Sequence, residues 1–173
     1  MLFRRSRKPE VKFAAAWVEV KRDIAFVFAQ SGGRGVAADI DAYSTHFSFP
    51  PSGSELGEAV RHALVASRYL DPDRTSKKVL EKFLFEDSVA KHNEWQKVAM
   101  SMTGAKTESE YARGLVACKI LRVGERFQVT PTLDGHGSWG DFQPTEDDKR
   151  YFAVGATDAE IQTVVLEALA LSR

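Results

Sequence analysis

One stretch of the chain places an imidazole between two carboxylates: Asp134-Gly-His136-Gly-Ser138-Trp139-Gly-Asp141. His136 beside Asp134 or Asp141 has the parts of a general base with an orienting partner, and Ser138 is a hydroxyl that such a pair could activate. Activation requires rigid positioning, and this segment is rich in glycine and lacks a strained nucleophile turn. A small hydrolase using His136 with Asp134 or Asp141 is therefore kept as an alternative, and no catalytic residue is assigned. The same segment offers binding chemistry. Trp139 and Phe142 supply contact area, while Asp134, Asp141, Glu146, Asp147 and Asp148 supply negative charge. Aromatic anchors with an acidic rim suit a basic protein partner. A solvated loop whose Trp and Phe fold back on the core would have the same composition.

Other chemistry is poorly supported. His46, His62 and His92 stand in no His-Glu-x-x-His or His-x-His pattern, so no metal site is expected. Cys118 is the single cysteine; within the apolar run Val116-Ala-Cys-Lys-Ile-Leu121 it reads as a buried, inert thiol. Ser31-Gly32-Gly33-Arg34-Gly35 lacks the Gly-Lys-Ser/Thr ending of a phosphate loop and reads as a flexible connection. No cofactor is implied.

Bulk composition narrows the class. With 173 residues, 43% hydrophobic and 28% charged, the chain suits one globular domain with a substantial core. No apolar run approaches the roughly 20 residues that cross a bilayer. The amino-terminal charges precede no apolar segment, so a secretory signal is not expected and the cytoplasm is the default compartment. Net charge is zero, but Arg4, Arg5, Arg7 and Lys8 crowd one end, and without them acidic residues outnumber basic ones by four. Residues 1–10 read as a basic flexible tail and residues 11–173 as a single domain. A mildly acidic body argues against direct nucleic-acid binding.

The elements that must position these groups follow from periodicity. Residues 12–20 and 24–29 read as a hairpin of strands, 43–49 as a third strand, and 115–123 with 126–131 as a second hairpin. Residues 76–90 are helical in composition, with a break around Glu86-Asp87-Ser88. A separate helix follows, with Asn93 as cap, Gly104 as stop, and Trp95, Val98, Ala99 and Met102 as its apolar stripe.

The end of the chain repeats an earlier part. Residues 47–68 align with residues 152–173: Phe47 with Phe152, Glu55 with Glu160, Val60 with Val165, Ala63-Leu64 with Ala168-Leu169 and Ser67-Arg68 with Ser172-Arg173. Each copy is a strand end, a turn and an amphipathic helix. Ser52/Glu55 and Thr157/Glu160 have capping-box spacing. The stripes are Leu56, Ala59, Val60, Ala63, Leu64 and Ile161, Val164, Val165, Ala168, Leu169. The expected fold is α/β (α+β): a mainly antiparallel sheet of five or six strands with helices packed on it and two strand–turn–helix repeats.

A longer order of features resembles a known family. Glu94-Trp95 opens a helix; Gly104 and Lys106-Thr107 follow; Cys118 lies in an apolar strand; a strand ends at Thr130-Pro131; a Trp-bearing loop comes next. The chain closes on Glu160-Ile161 and a helix ending Ala168-Leu-Ala-Leu-Ser-Arg173. The Leu56-Gly57 helix ending Ser67-Arg68 looks like a first copy. Over most of residues 40–173 this order resembles the immunity proteins of bacterial contact-dependent growth inhibition systems.

The resemblance implies a cytoplasmic protein that is not an enzyme. It would bind the C-terminal toxin domain of a large exported adhesin, often a nuclease, and block its active site, in some members by accepting a toxin β-hairpin at its sheet. Contact residues differ between cognate pairs, so none is carried over. The candidate toxin-binding residues are those read directly above: Asp134, His136, Trp139, Asp141, Phe142, Glu146, Asp147 and Asp148. A protein-binding adaptor without a toxin partner is a further alternative. Oligomeric state is open.

Overall fold

The computed structural model describes residues 13–33, 35–132 and 145–172. Seven strands form one antiparallel sheet: β1 (Ala15–Lys21), β2 (Ile24–Gly32), β3 (Val36–Ala38), β4 (Ser44–Ser48), β5 (Val116–Val123), β6 (Arg126–Pro131) and β7 (Arg150–Ala153). The order is β3-β2-β1-β5-β6-β7, and β4 also pairs with β2. The long β2 therefore carries two partners on one flank. Its first half pairs with β4, Phe26 opposite His46, and its end pairs with β3, Ser31 opposite Ala37.

The two hairpins fall where hydrophobic alternation places them. Arg22, at φ 57°, turns β1 into β2, and Gly124, at φ 65°, turns β5 into β6. The sheet exceeds the expected five or six strands because Ser31 and Gly32 extend β2 and the short β3 pairs beside it. The first two residues of the glycine-rich segment are thus strand. A Cβ on Gly32 would meet the Gly35 carbonyl oxygen at 2.0 Å.

Helices α1 (Glu55–Ala66) and α5 (Asp158–Leu171) cover one face. Alternate residues of the strands point at them: Ala16, Val18 and Val20 of β1, Ala25, Val27 and Ala29 of β2, Cys118 and Ile120 of β5, and Phe127 and Val129 of β6. Both predicted stripes meet this core; all their members are buried except Val164, which is partly so. Burial raises the Cys118 thiol pKa and keeps it protonated. The helices cross at Gly57, where a Cβ would lie 1.8 Å from the Asp158 carbonyl oxygen. Arg61 donates to the Asp158 carboxylate at 2.5 Å and to the Ala156 carbonyl at 2.7 Å, and Gln162 Oε1 accepts from the Leu56 N–H at 3.1 Å.

The repeat is real in space. β4–α1 and β7–α5 are each a strand, a turn and a helix laid back on the sheet. Ser67 Oγ accepts the Ala15 N–H at 3.1 Å, and its counterpart Ser172 Oγ accepts the Ala117 N–H at 3.0 Å. The caps differ. Thr157 and Glu160 form the expected box. The Ser52/Glu55 box does not form: Gly53, at φ 54°, keeps residues 52–54 in a turn, Ser54 becomes the N-cap, and its side chain makes no capping bond.

The opposite face carries α2 (Lys77–Glu81), a π-helical stretch (Lys82–Asp87), α3 (Ser88–Thr103) and α4 (Glu108–Ala112). The expected break between two helices is absent. Around Glu86-Asp87-Ser88 the helix widens instead, the Ser88 N–H reaching back to the Phe83 carbonyl, and continues unbroken to Gly104 at φ 67°. Asn93 is therefore mid-helix rather than a cap. The stripe also differs: Val98 and Met102 face solvent, whereas Ser88, His92, Trp95, Ala99 and Thr103 turn inward. Three of these five residues, Ser88, His92 and Thr103, are polar, which a count of apolar residues cannot register. Ser88 donates to the Ala38 carbonyl at 2.6 Å and Thr103 to the Ala99 carbonyl at 2.8 Å, so their burial costs little.

Candidate functional site

Five of the residues singled out in the sequence (Asp134, His136, Trp139, Asp141 and Phe142) lie outside the described residues. The other three form a short 3₁₀ turn, Glu146–Asp148, at the entry to β7. Their charge is largely engaged. Asp148 closes a capping box on Thr145, accepting its N–H at 2.8 Å and its hydroxyl at 2.7 Å. Glu146 accepts from Lys149, whose hydrogen bond and positive charge lower the carboxyl pKa. Arg150 donates to the Asp147 carbonyl at 2.7 Å, and the Arg126 guanidinium stacks 4.1 Å over the Tyr151 ring. The surface here is mixed in charge, with Glu146 and Asp147 both exposed.

Three histidines are described. His46 is exposed beside Phe26, with ring centres 6.2 Å apart. His62 stacks on Tyr43 at 5.8 Å and stands 3.9 Å from Glu58 on the exposed side of α1. His92 packs against Trp95 and Phe28 at 5.4 and 5.9 Å, and burial lowers its pKa. Among the described residues, no three His, Cys, Asp or Glu side chains converge in a metal-binding group. No helix among them is long and apolar enough to cross a membrane.

Two buried acids were not anticipated. Asp39, almost fully buried, accepts from Ser31 Oγ at 2.5 Å and from two nitrogens of Arg68 at 2.8 and 2.7 Å. This ties the end of α1 to the loop before β4. Glu19, also buried, lies on the α3 side of β1 and accepts from the Tyr111 hydroxyl and from Trp17 Nε1 at 2.9 Å. Burial raises its pKa, against the lowering effect of both bonds. A cleft of about 340 Å³ opens beside it, between β1, β2, β3, α3 and α4. The one available signal in the sequence was Glu19 itself, a carboxylate inside the apolar run Ala14–Val20.

The free flanks are also of interest. No described strand pairs with the outer edge of β4 or of β7. Such edges offer unpaired N–H and C=O groups to an incoming strand.

The described residues form an α+β scaffold whose open sheet edges could be extended by an added strand. Comparison places the chain in a family. The family model for CDI immunity proteins matches residues 14–172, and the chain belongs to that family. Among solved structures, the CdiA-CT/CdiI toxin and immunity complex from Yersinia pseudotuberculosis contains a chain 25% identical, with a TM-score of 0.80, over 94% of this chain and 99% of that one. A Neisseria meningitidis protein of unknown function shares the fold at 17% identity and a TM-score of 0.78, over 93% and 96% of the two chains. No curated protein sequence matches.

Proposed function

We propose that this protein acts in the cytoplasm as the immunity partner of a CdiA C-terminal toxin domain, which it neutralises by binding rather than by catalysis. The observation that carries this reading is the family match across almost the whole chain, supported by likeness to a chain from a toxin–immunity complex. A nuclease is the toxin class we favour. Nuclease sites hold phosphates with basic groups, and the acidic excess of this chain outside its first eight residues complements such a site.

The edges of β4 and β7 are the places where main-chain pairing could add a toxin strand. Residues 132–149 precede β7 in the chain and supply the candidate contacts Trp139, Phe142, Asp134, His136, Asp141, Glu146 and Asp147. Asp148, whose carboxylate also caps Thr145, is the remaining candidate contact. Residues 1–10 are read as a basic tail outside this single domain.

The test is to purify the chain with the toxin domain encoded beside it and to assay nuclease activity on DNA and RNA. Equimolar chain is expected to abolish cleavage and to form a stable one-to-one complex. Full cleavage at molar excess overturns the proposal; a complex that suppresses toxicity without any nuclease activity overturns only the toxin class.

A further inference from the structure

The cleft beside Glu19 has a lining of unusual chemistry. Its floor is the β1–β2 face, with Trp17, Glu19, Phe28 and Gln30; His92 and Trp95 of α3 close it from above. The rings form a continuous aromatic wall: Trp17 and Phe28 stack at 6.5 Å, and Phe28 meets Trp95 edge-on at 5.0 Å. A volume of about 340 Å³ lies within the range of small-molecule sites.

Among the polar groups lining the cleft, Gln30 Oε1 and His92 Nδ1 are buried without a hydrogen-bond partner among the described residues. Gln30 is 4% exposed. Each Glu19 oxygen accepts one bond and retains a lone pair. No lysine or arginine lines the cleft, and no ion pair reaches Glu19 among the described residues. Lys21, two residues along β1, is turned away: its ammonium donates to the Glu110 carbonyl at 2.8 Å and to the Arg113 carbonyl. A buried carboxylate and an orphaned amide oxygen thus face a volume walled by π-faces. Buried charge without a counter-ion is costly, and aromatic faces attract cations.

We propose that this cleft binds a small organic cation, an amine or guanidinium on an apolar body, with its N–H groups donated to Glu19 and Gln30 and its body held by Trp17, Phe28 and Trp95. The raised Glu19 pKa is consistent with this, since a bound cation would supply the missing partner. The site does not depend on the toxin reading, so the two proposals fail separately.

The test titrates the full chain, without toxin, with 2-phenylethylamine, agmatine and putrescine, and with the neutral isostere 2-phenylethanol. Calorimetry and tryptophan fluorescence report binding. At least one amine is expected to saturate a single site with a Kd below about 1 mM, and the alcohol to bind at least about tenfold more weakly than 2-phenylethylamine. Glu19→Gln, which keeps the shape, is expected to weaken the amine at least about tenfold, and Gln30→Leu to weaken it less. Absence of saturable amine binding, equal affinity for 2-phenylethylamine and its alcohol, or full affinity in folded Glu19→Gln overturns the proposal. The amine–alcohol comparison on the unmodified chain decides the matter if either variant fails to fold.

Discussion

The two faces of the sheet share seven strands and differ in what they bury. Toward α1 and α5 the alternate residues are Ala, Val, Ile, Phe and Cys, and the helices bring matching aliphatic stripes. Toward α3 and α4 the same strands present Trp17, Glu19, Lys21, Phe28 and Gln30, and the compact apolar cluster is only Phe26, Ala99 and Tyr111 with partly buried neighbours. Apolar burial near 25 cal/mol per Å² makes the first face the main source of stability. The second face retains a cleft, two buried ionisable groups on β1 and orphaned polar atoms. Aliphatic packing is concentrated on one side of the sheet and buried polar groups on the other.

The division can be broken most directly at the crossing of α1 and α5. Gly57→Val would place side-chain atoms on the Asp158 carbonyl and push the repeat units apart; we expect a loss of about 3 kcal/mol or more, read by urea denaturation as insoluble or largely unfolded protein. Leu56→Ala, at a position with no exposure, is expected to cost about 3 kcal/mol. A loss below about 1 kcal/mol there would show that the first face is not the stable one.

Glu19 tests the other face. Its folded pKa lies above the ordinary 4.5, so its favourable contribution is complete below that pH and disappears as pH rises through the folded pKa. Glu19→Gln should therefore gain stability relative to the unmodified chain on going from pH 4 to pH 7, measured as a growing difference in urea midpoint. A difference that shrinks with pH would contradict the buried, unpaired carboxylate.

The two repeat units give a finer contrast. Thr157→Ala removes a formed capping box and is expected to cost about 1 kcal/mol, whereas Ser54→Ala removes a side chain that makes no cap bond and should cost under about 0.5 kcal/mol. Smallest of all is Phe85→Ala: Phe85 is 70% exposed on the π-helical stretch, and the change should leave the urea midpoint within about 0.5 kcal/mol of its original value.

Legibility in the sequence follows the same division. The strands of both hairpins, the stripes of α1 and α5, the repeat, the Thr157 box and the Gly104 stop could all be read, because each rests on local periodicity or backbone chemistry. The face with α3 was misread in its stripe and in its break because its inner residues, Ser88, His92 and Thr103, are polar, and hydrogen bonds rather than hydropathy permit their burial. Of the anticipated contact residues, Glu146 and Asp148 have carboxylates engaged by nearby partners, with Lys149 and Thr145 supplying the pairings.

By itself the sequence determined an antiparallel sheet flanked by two related helix units and a likeness to immunity proteins, because alternation, capping and glycine placement act within a few residues. Only the tertiary structure decided that Glu19, Gln30, Trp17 and Trp95 share one cleft, that Asp39 takes Arg68 as its partner, and that Gly57 sits under Asp158. Those juxtapositions join residues from strands and helices far apart in the chain, and packing, not local pattern, brings them together.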